Sequence, residues 1–241
     1  MKRNRGRGPC ELRQVFLGPG FVKNAKGSCF VKFGDTHVIC AASFDEKVPP
    51  FLKNSGAGWV TAEYGMLPCS SSERIEREAA KGKQSGRTME IQRFISRSLR
   101  AAVDLRLLGE RQIRIDCDVL QADGGTRTAS ITGGFVAMHY AIQVLLKTGK
   151  IKENPIVGNI AAISCGVCNG EELLDLDYQE DSTAEVDANF VMNDKFDIIE
   201  IQMTAERKPF SVPTLNKLTE FAQQGIETLI KMQKDVVERI A

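Results

Sequence analysis

Four consecutive residues, Gly124-Gly125-Thr126-Arg127, carry the parts of a phosphate cradle. The glycines leave no Cβ in the path of an approaching anion, the threonine brings a hydroxyl, and the arginine brings a guanidinium fork that matches phosphoryl oxygens. On one side lies a segment in which Ile113, Ile115, Cys117 and Val119 alternate with Arg114, Asp116 and Asp118; on the other lies an uncharged run over 128–146. These patterns predict a half-buried strand followed by a helix. Strand, glycine-rich turn and helix start gather free backbone N–H groups and the positive end of a helix dipole around one anion. The turn is not an ATP-binding loop, because no Gly-Lys-Ser/Thr follows it, and Gly-Lys-Gln-Ser-Gly-Arg-Thr at 82–88 has the wrong spacing. The same glycines also suit close helix packing, and nothing local separates the two readings. Arg87, behind its own Ser85-Gly86 turn, would bring a second fork to the same anion.

A second group is acidic. Glu180, Asp181, Glu185 and Asp187 put four carboxylates into eight residues beside a predicted strand. Such a group repels itself unless a cation or protonation relieves it, which suits a divalent-metal site with an acid/base role; a solvated acidic loop has the same composition. Histidine chemistry has little material, since only His37 and His139 are present, each in an apolar context. The seven cysteines are scattered, with Cys29, Cys40, Cys117 and Cys165 inside apolar runs, as expected of reduced thiols in a reducing compartment. Cys165 and Cys168 form a lone CxxC in an extended segment, where residues three apart point to opposite faces, so a zinc site is not expected.

The elements that must hold these groups follow from periodicity. Cys29, Val31 and Phe33, the turn residues 33–36, and the run 38–42 predict a hairpin, and 59–64 alternates as another strand. Residues 74–83 are highly charged without an apolar stripe and read as a mobile or solvent-facing segment. From Thr88 the period turns helical, with Ile91, Phe94, Ile95, Leu99, Ala102 and Val103 on one face and Arg93, Arg97 and Arg100 opposite, either a solvated face or an anion-facing stripe. In the second half, 158–168, the Asn169-Gly170 turn and 173–178 predict a hairpin, 190–192 and 198–203 another, and 215–230 a long final helix. Strands followed by a long helix, twice over, predict a duplicated α+β fold.

Composition is that of a globular chain, 42% hydrophobic and 26% charged, which excludes disordered, collagenous and disulfide-stapled classes. The formal net charge of +1 hides an asymmetry: residues 1–127 hold 22 Lys+Arg against 14 Asp+Glu, a net of +8, and residues 128–241 hold 10 against 17, a net of −7. The run over 128–146 approaches the length of a membrane span, but its threonines, serine, glycines, His139 and Gln143 predict a buried helix; no secretory signal is expected either, which points to the cytoplasm.

Several long runs closely resemble the ribonuclease PH family. They are 58–68 (Gly-Trp-Val-Thr-Ala-Glu-Tyr-Gly-Met-Leu-Pro), 81–84 with 87–93, 116–119 with 121–133, 180–187 and 201–206, in one order along essentially the whole chain. The resemblance implies a phosphorolytic 3′→5′ exoribonuclease that removes nucleotides beyond the CCA end of tRNA precursors with inorganic phosphate, releases nucleoside diphosphates, and runs in reverse as a nucleotidyltransferase. It implies phosphate binding by Arg87, Gly125, Thr126 and Arg127, and a catalytic pair, Asp181 and Asp187, that holds Mg²⁺ or acts as a general acid. RNA contacts are expected from Arg74 and Arg77, with Arg93 and Arg97 as further candidates. It further implies one ribonuclease PH-like domain over 1–241 with similar halves at about 10–147 and 148–241, tRNA precursors and other RNA 3′ ends as partners, and a homo-hexamer built as a trimer of dimers, with no membrane association. Two departures stand out. Cys69, followed by Ser70-Ser71-Ser72, replaces the family's Arg after Leu-Pro, and the N-terminal Arg-Pro-x-Gly-Arg becomes Arg3-Asn4-Arg5-Gly6-Arg7. A ring subunit of exosome type, inactive for want of phosphate ligands, is the alternative; Arg87, Thr126, Arg127, Asp181 and Asp187 all being present speaks against it.

Overall fold

The computed structural model describes residue 3 and residues 6–238, so Asn4 and Arg5 of the N-terminal run, and the last three residues of the expected 1–241 domain, lie outside the described residues. A first sheet has the order β1-β2-β3-β5-β4, from Val15–Pro19 (β1), Gly27–Phe33 (β2), Thr36–Asp45 (β3), Trp59–Met66 (β4) and Gln112–Gln121 (β5). Its neighbours pair antiparallel except β4 with β5. A parallel pair needs a crossover, and the chain between β4 and β5 supplies it through Glu78–Lys81 (α1), Gly86–Arg100 (α2) and Leu105–Leu108 (α3). The apolar stripe of α2 is buried, with Ile91, Phe94, Ile95 and Leu99 at 0% exposure. The charged segment before it is exposed apart from the single turn α1.

A second sheet, β7-β6-β8-β9, is antiparallel throughout and consists of Ile160–Cys168 (β6), Glu171–Leu174 (β7), Val186–Asn193 (β8) and Ile198–Ala205 (β9). Asn169 and Gly170 turn β6 into β7 with both φ angles positive, as a two-residue hairpin of this kind requires. The sequence pattern extends the return strand to residue 178. The strand in fact stops at Leu174, and Tyr178–Thr183 forms a short helix, α5, started by a capping box between Asp177 and Glu180.

Thr126–Lys147 (α4) lies between the sheets and Val212–Glu238 (α6) completes the second layer. An α-helix apolar all round is a core helix, and fourteen residues of α4 are buried. It comes so close to β2 that a Cβ on Gly133 would lie 2.7 Å from Val31 Cγ1. Because β7 covers only 165–168 of β6, the rest of that edge needs other partners. Thr132 of α4 bonds both the N–H and the C=O of Ala162, and Gln233 of α6 donates to the carbonyls of Ile160 and Thr132. Cys165 sits in the main core and Cys168 in a separate small cluster with Leu173, Leu176 and Ala184, on opposite sides of the strand.

Candidate active site

The Gly124-Gly125 turn joins β5 to α4 with both φ angles positive, +71° and +67°. Gly124 cannot carry a side chain without moving backbone: a Cβ there would lie 2.6 Å from the Leu176 carbonyl oxygen and 2.7 Å from the Asp177 carbonyl carbon, just ahead of α5. Gly125 is the N-cap residue of α4 and no side chain caps that end, so the first N–H groups of a 22-residue helix stay open to a ligand. The turn is held from behind. Thr36 donates to the Gly124 carbonyl at 2.6 Å and accepts from Asp123 N–H at 2.9 Å. The buried Arg13 donates to the Asp123 and Gly124 carbonyls and pairs with Asp175 at 2.7 Å.

In front of the turn opens a cleft of about 450 Å³. Its walls bring together Arg87 from the start of α2, Gly125, Thr126 and Arg127 from the phosphate turn, Asp181 from α5 and Asp187 from β8. The two sequence constellations therefore face one another across one space. Thr126 Oγ1 lies 2.8 Å from the Tyr64 hydroxyl, which ties the turn to β4. Arg127 donates through Nη1 to Gln202 Oε1 at 3.1 Å, and its Nη2 is 3.7 Å from Glu90. Gln202 in turn donates to Glu90 at 3.0 Å and Glu200 at 3.4 Å, so its amide oxygen is left to face Arg127.

The four carboxylates of the acidic stretch do not act together. Glu180 points away from the cleft, where Arg3 (2.7 Å) and Arg7 (3.2 Å) meet it while it closes the capping box of α5. Burial alone would raise its pKa, but the hydrogen bond from Arg3 and that from Asp177 N–H hold it below the usual range. Glu185 accepts from Gly170 N–H at 2.9 Å. Only Asp181 and Asp187 face the cleft. Burial raises both, against the pull of Arg127 and Arg87, and Asp187, with the charge of Asp181 added to its burial, is pushed up to about 6. Two half-buried carboxylates that disfavour one another's charge suit a hard divalent ion, because Mg²⁺ typically takes one or two carboxylates and fills its remaining positions with water and phosphate oxygen. No cluster of three or more metal-ligating side chains exists among the described residues, so any ion would rest on this pair.

Of the candidate RNA contacts, Arg74, Arg77 and Arg93 are exposed. Arg97 is committed to Glu200 of β9 through two hydrogen bonds, and Arg100 stacks 4.2 Å over Trp59 and donates to the Val60 carbonyl. The arginine face of α2 is thus partly an internal contact surface. Tyr64, Gln202 and Arg13 escaped the sequence reading, since their roles come from strand register and long-range packing.

Comparison with known proteins gives a consistent result. Residues 11–142 match the profile of the 3′ exoribonuclease family, domain 1, and residues 158–225 that of the same family's domain 2. Ribonuclease PH of Cereibacter sphaeroides strain KD131 is 57% identical over 229 residues, covering 95% of this chain and 97% of its own; the protein of strain ATCC 17029 is equally similar. Among solved structures, rice (Oryza sativa) Rrp46 superposes with a TM-score of 0.78 at 18% identity, covering 98% of this chain and 100% of its own. A chain of the Archaeoglobus fulgidus exosome with RNA bound to the active site gives 0.78 at 20% identity, over 100% of this chain and 93% of its own. At such identities these likenesses speak for the fold alone.

Proposed function

The chain belongs to the 3′ exoribonuclease family that includes ribonuclease PH, and from that premise we propose how its cleft carries out phosphorolysis and which residues do it. It is a phosphate-dependent 3′→5′ exoribonuclease and nucleotidyltransferase of tRNA 3′ processing. One oxygen of inorganic phosphate forms a bond to the scissile phosphorus, the 3′ oxygen of the preceding nucleotide leaves with a proton, and a nucleoside diphosphate departs. A phosphodiester is exchanged for a phosphoanhydride, so the reverse reaction stays within reach.

Inorganic phosphate sits at the open start of α4, held by Gly125, Thr126, Arg127 and, from the facing helix, Arg87. Its charge is met by two guanidinium groups and the helix dipole, and its orientation in line with the scissile bond is the main catalytic contribution. Mg²⁺ held by Asp181 and Asp187 would neutralise charge on the scissile phosphate. Asp187, near 6, is also the group in the cleft able to hold a proton close to neutral pH and pass it to the departing 3′ oxygen. The observation that carries this reading is the convergence of an uncapped, glycine-started helix and two raised carboxylates on one cleft.

Around this centre we place RNA along Arg74, Arg77 and Arg93, with Arg97 available only if Glu200 releases it. The exposed Cys69, standing where the family has Arg, removes one cation from that path and should flatten the salt dependence of RNA binding. A hexamer built as a trimer of dimers, tRNA precursors as the principal RNA, and a cytoplasmic location complete the proposal. The test is direct. Purified protein with Mg²⁺ and phosphate is expected to release nucleoside diphosphates from RNA 3′ ends; monophosphate products, or activity indifferent to phosphate, would overturn it. Arg127→Ala is expected to abolish phosphorolysis and leave RNA affinity largely intact, and a parallel fall in both would place Arg127 on the RNA instead.

A further inference from the structure

Three polar residues stand side by side across the second sheet: Ser164 on β6, Asn189 on β8 and Gln202 on β9, paired in register as Ser164 with Asn189 and Asn189 with Gln202. Directly opposite residues on neighbouring strands present their side chains to the same face. That face is the floor of the cleft, lined by Ser164, Asn189 and, two residues along β8, Asp187. Two members of the row are occupied within the protein. The Ser164 hydroxyl accepts from Leu176 N–H at 3.1 Å, and Gln202 is fixed between Arg127 and two glutamates. Asn189 is 5% exposed, yet its side chain makes no hydrogen bond among the described residues. A primary amide offers two donors and an acceptor, and buried groups of this kind are nearly always satisfied. The exposure that remains to Asn189 lies where the cleft lies, so its partner is what enters the cleft.

We propose that Asn189 is a further substrate-binding residue, donating an amide N–H to a non-bridging oxygen of a phosphoryl group in the cleft; the proposal rests on the reading of this cleft as the phosphorolytic site. The position calls for a neutral donor. Asn189 lies between the phosphate turn, where a Cβ on Gly125 would come within 3.7 Å of Ser164 Oγ, and the carboxylate of Asp187. A carboxylate at 189 would repel the anion, and an ammonium would draw Asp187 back toward its ordinary acidity, whereas an amide binds phosphoryl oxygen and adds no charge. The phosphoryl group is that of inorganic phosphate or that of the scissile phosphodiester, and kinetics separate the two.

The experiment compares Asn189→Leu, which roughly keeps the volume and loses the amide, and Asn189→Ser, which keeps a donor, with the unaltered protein. Nucleoside diphosphate release is measured with phosphate and RNA varied in turn, and thermal melting checks the fold. A hydrogen bond to a charged group predicts a fall in kcat/KM of about ten- to a hundredfold in Asn189→Leu, with part of it restored in Asn189→Ser. A loss concentrated in KM for phosphate assigns the contact to inorganic phosphate; a loss in kcat with that KM unchanged assigns it to the scissile group. A folded Asn189→Leu whose kcat/KM for both substrates stays within about twofold overturns the proposal, and should that variant not fold, Asn189→Ser is judged by the same criterion for an unchanged enzyme. Arg127→Ala, run in parallel, separates the two failures: if it too is fully active the cleft has been misread, and if it alone is dead only the role of Asn189 falls.

Discussion

At the scale of single residues, the cleft holds charge in a place that disfavours it, and that has a cost in stability. Asp187 carries a folded-state pKa of about 6, above the ordinary 3.8, because of burial first and Asp181 second. Below both values the folded and unfolded chains are equally protonated there. As pH rises toward 6 the folded state holds the extra proton and stability falls, and above 6 the whole penalty, up to ~3 kcal/mol, is in force. Asp187→Asn removes the titration. In chelator and without phosphate it is expected to melt several degrees above the unaltered protein at pH 7–8 and level with it near pH 4, while phosphorolysis is lost. A difference in melting temperature that ignores pH would show that Asp187 is not raised. The residues readable from sequence were those whose chemistry is local: a Gly-Gly-Thr-Arg turn, or two aspartates six apart, announces itself. Asn189 and Gln202 carry no such signal, since each acquires its role from the partner that strand register sets opposite it.

At the scale of elements, the site depends on how closely the phosphate turn approaches the start of α5. Gly124 has three backbone atoms of residues 176–178 within 2.6–2.9 Å of where a Cβ would stand, whereas Gly82, also left-handed at +72°, has nothing within 4 Å. Gly82→Ala is expected to cost only the conformational penalty of about 1–2 kcal/mol, with phosphorolysis intact. Gly124→Ala adds a clash that only movement of the turn or of α5 relieves, so it should lose both stability and activity, the latter because Arg127 and Asp181 ride on those two elements. Equal melting temperatures for the two variants would mean that the turn and α5 are not in contact. The long elements were legible because their apolar period is sustained: the stripe of α2, the alternation of β5 and the uncharged run of α4 appear where the pattern puts them. β1, only five residues and ending in Gly18-Pro19, and α5, six residues without an apolar stripe, have too little length for period to show. The one sign of α5 was Asp177 three residues before Glu180, a capping box hidden among other acids.

At the scale of the whole molecule, the charge imbalance between the halves proves to be partly an adhesive. Arg3, Arg7 and Arg13 come from the basic half, and their partners Asp175, Asp177 and Glu180 from the acidic half, in a buried network behind the cleft. With α4 packed against both sheets, this network is why we take the halves as one working unit. Arg3 shows how much rests on it. It is 7% exposed, grips Glu180 through Nε at 2.7 Å and Nη2 at 3.0 Å, and donates to the Leu174 carbonyl at 2.7 Å. Pairing buried charges brings little net stability over an apolar pair, but removing one partner leaves a desolvated charge and typically costs ~3–5 kcal/mol. Arg3→Met should fall toward the lower end of that range because Arg7 still reaches Glu180 at 3.2 Å. The damage should be local before it is global: amide exchange is expected to rise first across 175–183, loosening the helix that carries Asp181, while α2 and α4 stay protected. Adding Glu180→Gln to Arg3→Met removes the stranded charge and should recover part of the loss, although it weakens the capping box. If Arg3→Met melts with the unaltered protein, or if exchange rises first in α2, the N-terminal arginines are ornaments of the fold and the site is held by the sheets alone.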